Sequence, residues 1–215
     1  MKITVFGATG GIGTQLIRQG IARGHAVTAV SRRAVELGCD VVVADLGDVE
    51  AITGAVAGRD AVVSALGLRV AEMRARRRQD PSARSTVQAD GARAQVAAML
   101  ATGVRRIVSV DAAGRVADDG DGFVTRLVAK PLLRRVLREG FEDLAEAERV
   151  LRDSGLDWTL ISPPRLTDGG QRPYRTVVDR NVRGASTLSR ADVADAVLRA
   201  LEEPGWVHRR VNVAY

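Results

Sequence analysis

The sequence Lys2-Ile-Thr-Val-Phe-Gly-Ala-Thr-Gly-Gly-Ile-Gly13 decides the fold of this chain. Its first five residues are mainly apolar or β-branched, which predicts a buried strand that ends at Gly7. Over residues 14–23 apolar side chains recur at helical spacing, and Gly24 then ends the segment. The chain therefore starts with a strand, a glycine-rich turn and a helix.

The glycine-rich turn lies where the predicted strand becomes the predicted helix. Free backbone N–H groups and the positive end of the helix dipole at such a junction bind a diphosphate, and missing Cβ atoms let it approach. Tight turns also collect glycine for conformational reasons alone, so the flanking strand and helix are needed to support this interpretation. We predict a dinucleotide-binding turn made of Gly7, Ala8, Thr9, Gly10, Gly11, Ile12 and Gly13.

Strands and helices continue to alternate along the chain. Strands are predicted at residues 25–30, 40–44, 60–65, 105–110, 156–161, 174–178 and 207–213. Helices are predicted at residues 49–57, 85–102, 123–138, 142–152 and 190–201, the last with Ser189 as its N-cap. This alternation favours an α/β fold with a doubly wound parallel sheet. A length of 215 residues suits one such domain, over residues 1–215.

The residues after the second predicted strand bear on which dinucleotide binds. A carboxylate there would hydrogen-bond the adenosine ribose, whereas an arginine would pair with a 2′-phosphate. Ser31, Arg32 and Arg33 occupy this position, and no carboxylate follows before Glu36. Guanidinium groups and a hydroxyl suit a phosphate dianion, so NADP(H) is favoured over NAD(H). Ordinary solvated arginines in an arginine-rich chain are the alternative.

Two further strand ends belong to the predicted cofactor site. Asp45 and Leu46 follow the third strand and are expected to flank the adenine. Ala65, Leu66 and Gly67 follow the fourth strand and are expected to pass beneath the cofactor. Both expectations arise because the carboxyl ends of parallel strands meet at the same edge of a sheet.

Composition and charge exclude several other classes of protein. The single cysteine, Cys39, rules out an intrachain disulfide, and no histidine pattern has metal-ligand spacing, so we predict no metal site and a cytoplasmic location. No apolar run approaches the roughly 20 residues that span a bilayer, so we expect no membrane association. The net charge of +6 suits phosphate-bearing partners. We interpret the basic cluster at residues 74–78 as a solvated loop beside the cofactor, with the steering of an acidic substrate as the alternative. Aromatic residues are too scarce, at 3%, to alternate with the arginines, which disfavours nucleic-acid binding.

The chain resembles the atypical short-chain dehydrogenase/reductase superfamily, in particular its small NAD(P)H-binding group. That group includes NmrA-like proteins, flavin/biliverdin reductase B and NADH-flavin reductases. The matching segments are residues 7–13, 31–33, 103–108, 154–164 and 189–194. The resemblance implies a Rossmann-type sheet with a small C-terminal substrate region. It also implies that Pro163 and Pro164 expose their carbonyls near the nicotinamide; a helix-breaking turn is the alternative.

The catalytic signature of many superfamily members, a tyrosine followed four residues later by a lysine, is missing. Neither Tyr174 nor Tyr215 precedes a lysine, and the matching stretch reads Phe-Glu-Asp-Leu at residues 141–144. Asp111 stands where many relatives place serine, and Ser109 lies two residues earlier. Asp111 is a candidate to protonate a substrate or to bind the nicotinamide ribose; a residue that only starts a turn is an equal alternative. Tyr174 is the internal phenol that could act as an acid.

Two functions remain consistent with these residues. The favoured one is NADPH-dependent hydride transfer to a small conjugated acceptor, such as a flavin, quinone or tetrapyrrole, with the proton coming from solvent or Asp111. The alternative is a catalytically silent NADP(H)-binding sensor of the NmrA-like type, which would act through a regulatory protein partner. The preference for the reductase comes from the family resemblance and not from any group seen in the sequence.

Overall fold

The computed structural model describes residues 1–67, 86–113 and 138–215. Its strands are β1 Lys2–Phe6, β2 Ala26–Ser31, β3 Asp40–Val43, β4 Ala61–Ser64, β5 Arg106–Val110, β6 Asp157–Ser162, β7 Arg165–Thr167, β8 Arg175–Val178, β9 Thr187–Ser189 and β10 Arg209–Ala214. Its helices are α1 Gly11–Ala22, α2 Val49–Val56, α3 Val87–Thr102, α4 Arg138–Asp153 and α5 Arg190–Glu202, followed by a short 3-10 helix at Pro204–Trp206. The helix predicted at residues 123–138 lies, apart from its last residue, outside the described residues. The basic cluster at residues 74–78 also lies outside them.

Eight of these strands form one sheet in the order β3-β2-β1-β4-β5-β6-β10-β8. All neighbours are parallel except β8, which runs antiparallel to β10 at the edge. The strand order reverses direction at β1, with β2 on one side and β4 on the other. The predicted Rossmann-type doubly wound sheet is therefore confirmed, and the crevice at the carboxyl ends of β1 and β4 is its topological switch point.

Helices cover both faces of the sheet. On one face, α1 packs against α5; on the other, α3 packs against α2 and α4. Because each central strand is buried on both sides, it is nearly continuously apolar, as β4 shows with all four of its residues buried. The two cores include Ile3, Leu16 and Leu198 on the α1 side and Ile52, Met99 and Leu160 on the α3 side. No helix in the described ranges is both long and apolar enough to cross a bilayer.

The first helix begins earlier than its sequence predicts. α1 starts at Gly11, whereas the apolar spacing predicts a start at residue 14. Glycine has a low helix propensity, but here it is required by the close packing of strand, turn and helix. A Cβ atom on Gly13 would lie 2.8 Å from the carbonyl carbon of Ala8, and one on Gly7 would lie 2.6 Å from that of Ala65.

The small C-terminal region is built from the chain between β6 and α5. It contains the parallel pair β7 and β9, in which Arg165 lies opposite Thr187, and the edge strand β8. The sequence predicts only β8 of these three strands. A strand of three residues is too short for its side-chain alternation to be recognised, so β7 and β9 are seen only once the chain is folded.

Substitutions of two helical glycines test whether the close packing of β1, the turn and α1 stabilises the fold. We expect Gly13→Ala to lower the free energy of unfolding by about 2 kcal/mol or more, because a backbone group would have to move. Gly54 in α2 is the matched control, since a Cβ atom there would meet nothing within 4 Å. Gly54→Ala should raise the free energy of unfolding by about 0.5–1 kcal/mol. Denaturant unfolding measures both, and similar effects for the two variants would contradict the packing argument.

Candidate functional site

The turn between β1 and α1 forms a cradle of backbone groups at the carboxyl edge of the sheet. Gly7 has a φ of +76°, and its carbonyl accepts a hydrogen bond from the N–H of Gly10 at 2.9 Å. Gly10 is the N-cap of α1, and the first turn of this helix carries no acidic residue. Thr9 and Gly11 are exposed. The start of α1 thus presents N–H groups and the positive end of its dipole to solvent, with no carboxylate beside them in its first turn, which suits a diphosphate.

The basic residues predicted to select the cofactor lie next to this cradle. Because Phe6 pairs with Val30, Gly7 and Ser31 lie at the same level of the sheet. The Ser31 hydroxyl accepts a hydrogen bond from the N–H of Arg33 at 3.4 Å. Both Arg32 and Arg33 are exposed, and neither forms an ion pair with another described residue.

The two remaining strand ends also lie at this edge. The N–H of Ala65 donates to the carbonyl of Phe6 at 2.9 Å, which holds residues 65–67 against the glycine cradle. The Leu66 side chain is packed against Gly91 of α3. Beyond β3, the Asp45 carboxylate accepts the N–H of Gly47 at 2.7 Å and so shapes the turn before α2. The fold thus brings these predicted cofactor residues to one edge.

Asp111 lies at the carboxyl end of β5 and belongs to a buried ion-pair network. Its Oδ2 accepts a hydrogen bond from the Ser162 hydroxyl at 2.9 Å and lies 3.3 Å from Nε of Arg210. The other side of the same guanidinium pairs with Glu148 of α4. Only 4% of the Asp111 side chain is exposed. Arg210 of β10 therefore holds the Asp111 carboxylate in place, and Glu148 of α4 holds Arg210.

Sequence reasoning missed Ser162, Glu148 and Arg210 as members of the site. They come from β6, α4 and β10, and no local spacing connects them with Asp111. Ser109, the other predicted residue on β5, is half-buried and in register with Ser64 of β4. The Ser64 hydroxyl accepts a hydrogen bond from Gln95 of α3 at 3.1 Å, so this row of side chains faces the α3 side of the sheet.

Pro163 joins the ends of two central strands. Its side chain is buried, and its carbonyl accepts a hydrogen bond from the N–H of Ala113 at 2.8 Å. This bond extends the pairing between β5 and β6 by ordering the residues that follow each strand. The Pro163 carbonyl that the resemblance places near the nicotinamide is thus engaged with the chain itself.

Tyr174 lies on the other side of the sheet from the Asp111 network. It packs against the core shared by α1 and α5, and its hydroxyl donates to Oδ2 of Asp195 at 2.5 Å. Asp195 also forms an ion pair with Arg23, the C-cap residue of α1. Burial, followed by the hydrogen bond to Asp195, raises the pKa of Tyr174 well above its usual value. The Tyr174 phenol therefore stays protonated and donates its hydrogen bond to Asp195. The structure does not bring Tyr174 and Asp111 together.

The stretch at which many relatives carry the tyrosine and lysine has a different task in this chain. It lies in α4, where the Asp143 carboxylate accepts the N–H groups of Gln88 at 3.1 Å and Ala89 at 2.9 Å. These are free donors in the first turn of α3, so Asp143 caps that helix and fixes α4 against it. Among the described residues, no cluster of three or more histidine, cysteine or acidic side chains could hold a metal ion.

Comparison with known proteins identifies relatives over the whole chain. The sequence profile of a family described as NAD(P)H-binding matches residues 7–204. The Bacillus subtilis protein YwnB is 27% identical over 221 residues, which cover 99% of this chain and 98% of YwnB.

Solved structures show the same fold. A candidate NADH-flavin reductase from Streptococcus pneumoniae superimposes with a TM-score of 0.78 at 24% identity, covering 100% of this chain and 99% of that chain. A short-chain dehydrogenase/reductase from Veillonella parvula in complex with NADP superimposes with a TM-score of 0.77 at 16% identity, covering 100% of this chain and 94% of that chain. At these identities the likeness establishes the fold.

The hydrogen bond from Tyr174 to Asp195 can be tested by titrating the phenols, because the chain has only two tyrosines. We expect a phenolate absorption step above the ordinary pKa of about 10, and Tyr174→Phe should remove it. Asp195→Asn should move the step to lower pH, since the phenolate would no longer face a carboxylate. The raised pKa contributes stability below pH of about 10 that is lost as pH rises through the folded-state value. A high-pH step that survives in Tyr174→Phe would contradict the assignment.

Proposed function

Because the chain belongs to the NAD(P)H-binding family, we propose that it is a reductase that transfers hydride from NADPH to a small conjugated acceptor such as a flavin or quinone. The observation that carries this proposal is the cradle at the start of α1. A Cβ atom on Gly7 would meet the backbone of Ala65, and one on Gly13 would meet the backbone of Gly7 and Ala8. Glycine at both positions lets the turn pack closely enough to bring the first N–H groups of α1 to the edge of the crevice, where a diphosphate can approach them.

The preference for NADPH is supported by charge at the end of β2. Arg32 and Arg33 are exposed, lack carboxylate partners among the described residues and follow a strand whose end is level with the cradle. A dinucleotide whose diphosphate lies in the cradle would place its adenosine ribose on this side of the switch point. Guanidinium groups there would bind a 2′-phosphate through charge-assisted hydrogen bonds.

The choice of a conjugated acceptor follows from the state of the two candidate acids. Asp111 is paired with Arg210, and Tyr174 is bound to Asp195 on the other face of the sheet. Neither arrangement presents a proton to a substrate at the carboxyl end of β5. A flavin or quinone that accepts hydride can take the balancing proton from solvent, so its reduction requires little from the protein beyond orientation. The nicotinamide, when bound, supplies the hydride.

The internal pairing of both candidate acids also favours a second candidate, an NADP(H) sensor that acts through a protein partner. A site in which both candidate acids are committed to internal contacts can bind a dinucleotide without turning it over. The two candidates predict the same cofactor site and differ only in catalysis. Turnover therefore distinguishes them.

Cofactor choice can be tested by reversing the charge at Arg32. We expect Arg32→Glu to weaken NADPH binding about tenfold or more, while NADH binding changes by less than about threefold, because only NADPH carries a 2′-phosphate. Arg180→Glu is the control: Arg180 is exposed on the turn after the edge strand β8. Cofactor fluorescence titrations give both affinities. Equal losses for NADPH and NADH, or a similar loss in the control, would refute the role of Arg32.

The reaction is tested by following NADPH oxidation with oxidised flavins and quinones. We expect steady turnover, and we expect Asp111→Asn to keep kcat within about threefold of wild type because solvent supplies the proton. If Asp111 were the proton donor, kcat would fall by about 10²-fold or more. Thermal melting checks that the variant is folded. Tight NADPH binding with no oxidation across the acceptors would favour the sensor.

A further inference from the structure

An arginine from a distant part of the chain, Arg190, lies against the glycine cradle. A Cβ atom on Gly11 would lie 2.5 Å from Cδ, 2.9 Å from Nε and 3.9 Å from Cζ of Arg190. Gly11 is the first residue of α1, and Arg190 is the first residue of α5. The guanidinium group of Arg190 therefore lies beside the helix N-terminus at which the diphosphate is proposed to bind.

The backbone of Arg190 is fixed relative to α1 by contacts on both sides of it. The Ser189 hydroxyl caps α5 by accepting the N–H of Asp192 at 3.0 Å. The buried Gln19 of α1 donates from Nε2 to the carbonyl of Ala191 at 2.8 Å. These bonds hold the start of α5 against α1, so the position of the Arg190 side chain over Gly11 follows from the packing of two helices.

The Arg190 guanidinium has a counterion that a stronger anion can replace. It pairs with Asp168, which lies just after β7, and 89% of the Asp168 side chain is exposed. An ion pair with so exposed a partner contributes little, because water screens it and both side chains lose entropy. A diphosphate offers more acceptor oxygens and more charge to the same guanidinium fork.

We propose that Arg190 binds the diphosphate of the dinucleotide, leaving Asp168 when the cofactor enters. This proposal rests on the proposed function and adds a residue that no motif in the glycine-rich turn contains. The diphosphate is common to NADPH and NADH, whereas the 2′-phosphate proposed for Arg32 is present only in NADPH. Substitution of Arg190 should therefore weaken both cofactors equally, whereas substitution of Arg32 should weaken NADPH alone.

The test compares Arg190→Gln with wild type in titrations of NADPH, NADH, ADP-ribose and AMP. We expect Arg190→Gln to weaken NADPH, NADH and ADP-ribose about tenfold each, with the ratio of NADPH to NADH affinity unchanged. AMP lacks the diphosphate, so its affinity should change by less than about twofold. Arg180→Gln, in the turn after β8, is the matched control and should leave all four affinities unchanged.

Two further variants keep the proposal falsifiable if Arg190→Gln should fail to fold. Arg190→Lys keeps the charge but loses the fork, and it should bind ADP-ribose with an affinity between those of wild type and Arg190→Gln. Asp168→Asn removes the competing carboxylate from an exposed position, and it should bind ADP-ribose about threefold more tightly than wild type. Thermal melting without ligand reports folding for each variant.

The outcomes separate this proposal from the proposed function. If wild type binds none of the dinucleotides, the proposed function itself fails. If wild type binds them and Arg190→Gln or Arg190→Lys binds ADP-ribose equally well, only the role of Arg190 is overturned. A loss confined to NADPH, an equal loss for AMP, or weaker ADP-ribose binding in Asp168→Asn would overturn it as well.

Discussion

The close approach of three backbone segments at the start of the chain is the constraint on which the rest of the structure depends. The turn after β1 passes directly over the end of β4, and α1 leaves this turn without room for a Cβ atom on Gly7 or Gly13. This contact fixes where α1 begins and turns its N-terminus toward the crevice between β1 and β4. The crevice lies where the strand order reverses: α1, which follows β1, and α3, the next described helix after β4, lie on opposite faces of the sheet, and this leaves space for a ligand at the strand ends. The cradle for an anion is thus a consequence of how the first strand, turn and helix pack.

Arg190 and the two candidate acids are divided between the two faces of the sheet. On the α1 side, Tyr174 is bound to Asp195 and Arg190 lies against Gly11. On the α3 side, Asp111 is held by Arg210 and Ser162. The buried carboxylate of Asp111 is paired with Arg210, which is the usual condition for burying a charge, and removal of either partner would leave an unpaired buried charge at a high cost in stability. The candidate acids are therefore parts of the framework, and the chemistry proposed for this site is one in which the cofactor does most of the work.

The sequence predicts the architecture well because its signals are local and repeated. The strand, turn and helix of the first unit, the alternation that follows and Ser189 as the N-cap of α5 are all confirmed. The departures have physical causes. α1 starts at Gly11 because tertiary packing outweighs the poor helix propensity of glycine, and β7 and β9 are too short to show a period. The sequence predicts those parts of the candidate site that come directly after strands, at residues 7–13, 31–33 and 65–67, because parallel strands place their carboxyl ends together.

What the sequence by itself determined is which residues lie at the carboxyl edge of the sheet: glycines in the turn after β1, where backbone segments come close, and Ser31, Arg32 and Arg33 at the end of β2. These properties depend on neighbours in the chain, and so they can be read from the sequence. Only the tertiary structure decided which distant side chains meet there. It joined Arg210 to Asp111, bound Tyr174 to Asp195 and laid Arg190 over Gly11. Such contacts depend on the packing of helices against a sheet. Gly11 and Arg190 are 179 residues apart in the chain, and no local sequence pattern predicts that they meet.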